Sequence, residues 1–473
     1  MDPISSLQEL YVSPSGQNFE SSHRLRDIAH RLIPGGCHTY AKGDDQYPVL
    51  APGFIARGLG SHVWDADGNE YIEYGMGNRA VGLGHAYPPV AQAAVQALAT
   101  GCNFTRPNPI EVECAEQFLR LIDGAEMVKF CKDGSDATSG AVRLARAYTG
   151  RDLIACCGDH PFFSVDDWFI GTTAMNAGIP EATQKLTLTF RYNNIESVRA
   201  LFEQHPGQIA AVILEPARTE DPKDNFLHEL QRLCHAEGAL FILDEMITGF
   251  RWHKGGAQKF YDIVPDLSTF GKALANGFSV SALAGKREFM RLGGLDHFDK
   301  PRVFLLSTTH GAETHALAAA IASMQIYERE PVIEHLHRQG SRLAMQLDQV
   351  VRRHDLGGWF KIIGRPCCLL YGTLDQNGKP SQAFRTLFLQ EIIRRGVLAP
   401  SLVVSYSHTD EDIERTVDAV DGALAVYRQA LDHGVERYLI GRPTESVYRH
   451  YNQPKAVDAP TMNSLPKPAV AMR

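Results

Sequence analysis

Residues 238–277 constrain this chain more than any other stretch. They hold two short apolar runs, 239–243 and 267–270, and each ends abruptly in reactive side chains. The first, Ala239-Leu240-Phe241-Ile242-Leu243, stops at Asp244 and Glu245; the second, Leu267-Ser268-Thr269-Phe270, stops at Gly271 and Lys272. An apolar run closed by charge is the pattern of a strand buried on both faces, and in an open α/β sheet the carboxyl ends of such strands border the ligand crevice. Pro265-Asp266 breaks the chain between them. The pattern predicts a mostly parallel sheet with an acid at one strand end and a lysine at another.

That pairing suits pyridoxal 5′-phosphate (PLP). A lysine amine forms a Schiff base with the aldehyde, and a carboxylate keeps the pyridine nitrogen protonated, which makes the ring an electron sink. A phosphate site is predicted upstream. Residues 128–131 read as a strand, Gly134 supplies a turn, and 136–148 show helical spacing through Ala141, Leu144 and Ala145. A glycine turn feeding a helix points N–H groups and the positive dipole end at one spot, so Gly134 and Ser135 are the expected phosphate contacts. Asp133 would repel a phosphate, so it is expected to point away or to cap the helix.

The run Asp244-Glu245-Met246-Ile247-Thr248-Gly249-Phe250-Arg251, then Gly255-Gly256-Ala257-Gln258, then Pro265-Asp266-Leu267-Ser268-Thr269-Phe270-Gly271-Lys272 resembles the signature of the class III aminotransferases, closest to their glutamate-1-semialdehyde 2,1-aminomutase branch. The resemblance spans nearly the whole chain. It implies an α/β protein of PLP fold type I (aspartate aminotransferase-like), with a large domain around a mostly parallel sheet and a small α/β domain, assembled as a homodimer. It implies Lys272 as the Schiff-base lysine and Asp244 as the partner of the pyridine nitrogen. His160, or Phe162 if the loop is shifted by two, takes the place of a ring stacked on the pyridine. Glu215, of Glu215-Pro216, matches the family, and Thr308 matches a threonine that reaches the phosphate of the neighbouring subunit.

The substrate positions depart from that branch. Lys42 stands where an arginine meets the substrate carboxylate, and lysine lacks the planar fork of arginine. Asn78-Arg79 replace a partly aromatic, small-residue lining, and an arginine there suits an acidic or polyhydroxylated substrate. After Thr308, His310, Ala312 and Glu313 replace small residues, asparagine and proline. The expected activity is therefore transfer of an amino group from an amino-acid donor to a keto or aldehyde acceptor, in secondary metabolism or sugar and cyclitol amination. The alternative is the aminomutase reaction, in which the amine stays within one molecule. A PLP-fold binding protein without catalysis is the third reading, opposed by the presence of both Asp244 and Lys272.

Composition bounds the remainder. With 473 residues, 44% of them hydrophobic, the chain has material for a large core. A net charge of −8 without a basic stripe argues against nucleic acid. No apolar run approaches the roughly 18 residues of a membrane span, and no export signal is read. Nine cysteines, none in a CxxC pattern, suit a reduced cytoplasmic protein and give no support for a metal site. The expected organisation is a segment 1–58 joining the small domain, a large domain 59–329, a small domain 330–440, and a tail or partner-wrapping arm 441–473.

Overall fold

The computed structural model describes residues 17–452. Thirteen strands occur among them. The first three are β1 (Ile55–Leu59), β2 (His62–Asp65) and β3 (Glu70–Glu73). Next come β4 (Met127–Cys131), β5 (Leu153–Cys157), β6 (Thr187–Phe190), β7 (Ile209–Leu214), β8 (Leu240–Asp244), β9 (Leu267–Phe270) and β10 (Ser281–Gly285). The last three are β11 (Phe360–Ile363), β12 (Leu370–Thr373) and β13 (Val397–Leu398).

Strands β4 to β10 form one seven-stranded sheet in the order β4-β10-β9-β8-β7-β5-β6. Strand β10 pairs antiparallel with both neighbours, whereas the other pairings are parallel. It follows that β4, β5, β7, β8 and β9 all end at one edge. The central strands are buried along their whole length, as their unbroken apolar sequences require. Helix Gly134–Thr149 covers one face with Ala141, Leu144 and Ala145, and helix Phe226–Ala236 adds Leu227, Leu230 and Cys234.

Strands β2 and β3 form an antiparallel hairpin around Gly68 at φ +88°. Its sheet, however, runs β1-β2-β3-β13. Parallel pairing of Ile72 with Val397 joins β3 to β13, so residues 55–73 share a sheet with a C-terminal strand. Strands β11 and β12 are separated because Gly364 at φ +89° turns the chain and Pro366 opens a short 3-10 turn. Helices Val332–Arg353, Gln382–Ile393 and Asp410–His433 complete the C-terminal unit.

Residues 441–452 lie against their own subunit: Arg442 Nη2 donates to Asp44 O at 2.7 Å, Thr444 N to Thr386 Oγ1 at 2.7 Å, and Arg449 pairs with Asp45 at 2.8 Å. The remainder of the expected arm, 453–473, lies outside the described residues.

Candidate active site

The two acids that close β8 have separate tasks. Asp244 pairs in register with Thr269 of β9, and its Oδ1 accepts from Met246 N at 3.0 Å and from Thr269 Oγ1 at 3.1 Å. Oδ2 accepts no hydrogen bond among the described residues. Burial, reinforced by the nearby Glu215, pushes the Asp244 carboxyl up to about 7, although Lys272 pulls the other way. Glu245, fully buried, turns away from this site. It accepts from Ala257 N at 2.8 Å and Gln258 N at 2.6 Å, and Gly256 at φ +85° has no room for a Cβ beside its carboxylate. Asp266 likewise accepts from Phe241 N at 2.8 Å. Two backbone-binding carboxylates thus hold the three sequence blocks as one unit.

Lys272 follows β9 in the left-handed region, at φ +47°. A Cβ on Gly271 would meet Met246 Sδ at 2.7 Å, so only glycine brings the chain this close to the segment after Asp244. Burial lowers the Lys272 amine below its ordinary value. Asp244 and Glu215 oppose that shift, while Arg79 and Arg218 add to it. A lysine so placed yields its proton more readily than one in water.

Glu215 closes β7, and Arg218 donates to its Oε1 at 3.0 Å. Its buried Oε2 has no hydrogen-bond partner among the described residues. Burial alone would raise this carboxyl, but Arg218, His160 and Lys272 outweigh it and hold the group below the usual range. His160, 5% exposed, accepts on Nδ1 from Glu215 N at 3.1 Å, and burial keeps the ring neutral. With Nδ1 accepting, the proton sits on Nε2. Phe162 is 45% exposed and packs edge-on against Phe169, so of the two rings only His160 lies with Glu215.

At the end of β4, Asp133 caps helix Gly134–Thr149 and accepts from Ser135 N at 2.9 Å and Asp136 N at 3.1 Å. The capping role expected for it holds. Gly134 sits where a Cβ would meet Met246 Sδ at 3.0 Å, which ties this helix start to the segment after Asp244. Ser135 is buried, its hydroxyl accepting from Val165 N at 3.0 Å.

Residues 76–79 form one left-handed turn, with φ of +45° at Met76, +59° at Gly77, +57° at Asn78 and +72° at Arg79. The fully buried Arg251, last residue of the first sequence block, donates to Arg79 O at 3.1 Å, and also to Cys367 O and Val404 O at 3.3 Å. The Arg79 guanidinium has no acidic partner among the described residues, and its charge is felt at Lys272. Lys42 is exposed on the turn Tyr40–Lys42. Thr308 and His310 are exposed on a loop tied down locally: His310 Nδ1 meets Glu313 at 3.2 Å, Glu313 pairs with Lys132, and Asn103 donates to Thr309 O at 3.0 Å. No hydrogen bond among the described residues joins that loop to Lys272 or Asp244 of the same chain. Sequence reading missed Arg218; its spacing of three from Glu215 is the signal that could have found it.

The donor set fits a phosphorylated pyridine aldehyde. An amine of lowered proton affinity can bond the aldehyde, the free Oδ2 of a buried acid can face a ring nitrogen, and a glycine-led helix start can receive a phosphate. Such a site defines an enzyme that handles amino groups. The sequence pattern of the family Aminotransferase class-III matches residues 40–159 and 164–377, and the chain belongs to that family. It is 34% identical over 426 residues to the glutamate-1-semialdehyde 2,1-aminomutase of Acetivibrio thermocellus, covering 84% of this chain and 96% of that one. The aminomutase of Alkaliphilus oremlandii is 32% identical over 436 residues, with 87% and 100% covered. Among solved structures, the PLP internal aldimine form of the Sphingopyxis sp. MTA144 FumI protein superposes with a TM-score of 0.80 at 30% identity, covering 87% of this chain and 97% of that one. An omega-transaminase from Sphaerobacter thermophilus gives 0.77 at 26%, covering 86% and 98%.

Proposed function

We propose that this chain is a PLP-dependent aminotransferase that moves an amino group from an amino-acid donor to a carbonyl acceptor bearing an acidic or hydroxyl-rich end. Lys272 would hold the cofactor covalently, Asp244 its ring nitrogen, Gly134 and Ser135 its phosphate, and His160 one face of its ring, with Glu215 nearby. When bound, the cofactor supplies a sink for the electrons left behind as the substrate Cα loses its proton. Lys272 Nζ, released from its covalent role, takes that proton; its lowered proton affinity keeps enough of it neutral to act as the base. Asp244, buried and bonded on Oδ1 alone, offers Oδ2 to the ring nitrogen.

The observation that carries the choice of acceptor is the Arg79 guanidinium, without an acidic partner among the described residues and within electrostatic reach of Lys272, with lysine rather than arginine at position 42. A pocket processing glutamate 1-semialdehyde would retain a rigid carboxylate fork. The second reading is that aminomutase reaction, favoured by the names of the relatives at 32–34% identity. Product analysis separates them. Incubation with amino donors alone should convert the cofactor to its aminated form and release a keto acid, and an added acceptor should reverse it. Efficient formation of 5-aminolevulinate from glutamate 1-semialdehyde, unaffected by Arg79→Ala, would establish the second reading instead.

We further propose a homodimer in which Thr308 serves the neighbouring site. Nine free thiols, seven of them buried, suit a reducing cytoplasm.

A further inference from the structure

A groove of ≈ 440 Å³ runs between helix Glu20–Leu32, residues 33–55 and the β2–β3 side of the small sheet. Ile33, Val49, Val63 and Leu398 give it an apolar floor, while Arg26, His30, His38 and Lys42 form a polar rim. Gly75, Gly77 and Asn78 make its inner wall. Gly77 and Asn78 belong to the left-handed turn 76–79, whose last residue, Arg79, acts on Lys272. The groove therefore borders the turn that carries Arg79.

The charges along the groove do not cancel. Two acids line it, and both are engaged: Asp44 meets His30 Nε2 at 3.2 Å, and Glu73 accepts from Met76 N at 2.7 Å and from His85 Nε2 at 3.0 Å. Arg26 and Lys42 have no acidic partner among the described residues. Two unmatched cations beside an apolar floor attract an organic anion. The site is also held open from outside. Arg442 and Arg449 grip residues 44 and 45, and Glu445 N donates to Asp45 O at 3.0 Å, so the loop carrying Lys42 is fixed to the C-terminal segment. A volume of this size falls in the range of about 300–1,000 Å³ typical of sites for drug-sized ligands. It is far more than a five-carbon acid requires.

We propose that this groove is a distal subsite for the acceptor, holding the phosphate or diphosphate end of an extended molecule whose carbonyl reaches Lys272. A guanidinium fork, an ammonium and two imidazoles around one space match the several acceptor oxygens of a phosphate better than the two of a carboxylate. The inference rests on the aminotransferase reading above.

The test titrates the PLP-loaded enzyme with inorganic pyrophosphate by calorimetry, with ADP and adipate as comparison ligands. Wild type should bind pyrophosphate and ADP in preference to adipate, and Arg26→Glu combined with Lys42→Glu should weaken pyrophosphate by at least about tenfold, the loss of charged hydrogen bonds. Arg26→Lys should retain most of the affinity. Lys185→Glu, a reversal at an exposed site elsewhere, should leave it unchanged, and melting curves check that each variant folds. Equal pyrophosphate affinity in wild type and double variant, or no pyrophosphate binding by wild type, would overturn the subsite; preference for adipate would overturn its phosphate character. A separate readout guards the underlying reading: if no amino donor converts the bound cofactor in wild type, the aminotransferase assignment fails whatever pyrophosphate does.

Discussion

Asp244 and Lys272 sit at the ends of adjacent parallel strands, and each opposes the shift in proton affinity that burial imposes on the other. If Lys272 holds the cofactor, borohydride reduction followed by peptide mapping should place the label on Lys272 alone; a label on another lysine removes the assignment. Asp244 makes a stability prediction as well. Its carboxyl titrates at about 7 in the folded chain against an ordinary value of 3.8. Below the ordinary value both states hold the proton and there is no penalty. As pH rises toward 7 the unfolded chain releases a proton that the folded chain keeps, so stability falls and is lost through pH 7. With PLP removed, Asp244→Asn should therefore gain stability over wild type between pH 5 and 8, by a few kcal/mol at most. A difference in melting temperature that does not change with pH would contradict this. The variant should still bind PLP yet remove the Cα proton far more slowly, since a neutral amide cannot hold the pyridinium proton.

At the scale of elements, the left-handed turn at 76–79 is where local preference and tertiary demand conflict. Left-handed geometry costs about 1–2 kcal/mol for each residue with a Cβ, and the turn persists because Arg251 grips Arg79 O from the buried side. Two substitutions separate strain from function. Arg79→Ala and Arg79→Gly should both reduce kcat/KM for the true acceptor, by about 2 kcal/mol for loss of a charged hydrogen bond. The glycine variant should nonetheless melt higher than the alanine variant, by about 1 kcal/mol in stability, because glycine accepts this φ. Equal melting temperatures would mean that the turn carries no strain. Nothing in the sequence announces this turn, since only Gly77 and Asn78 have a taste for positive φ. The strands were legible for the opposite reason: each apolar run from 209 to 284 meets a strand on both sides, so local composition and tertiary demand agree. The pairing of Ile72 with Val397 was illegible because the partners are distant in sequence. Arg218 escaped for a similar reason, as its meaning depends on His160 and Lys272 arriving beside it in space.

Across the whole molecule, Arg251 bonds carbonyls at Arg79, Cys367 and Val404, so one buried guanidinium joins the sheet that bears Lys272 to the C-terminal unit. Leu295, Phe298 and Phe304 are 77%, 95% and 72% exposed, and they precede the exposed Thr308 in one continuous stretch. We propose that a second copy covers this exposed apolar stretch and receives Thr308 from it at the neighbouring site. Mixing subunits tests that arrangement without a structure of the dimer. Lys272→Ala alone and Thr308→Ala alone should each give impaired enzyme. In a heterodimer of the two, one site lacks both groups, while the other has its own Lys272 and receives an intact Thr308 from the Lys272→Ala chain. Refolding an equimolar mixture should then restore activity well above the mean of the two parents. If Thr308 served its own subunit, every site in the heterodimer would lack one group or the other, and the mixture would be no more active than that mean.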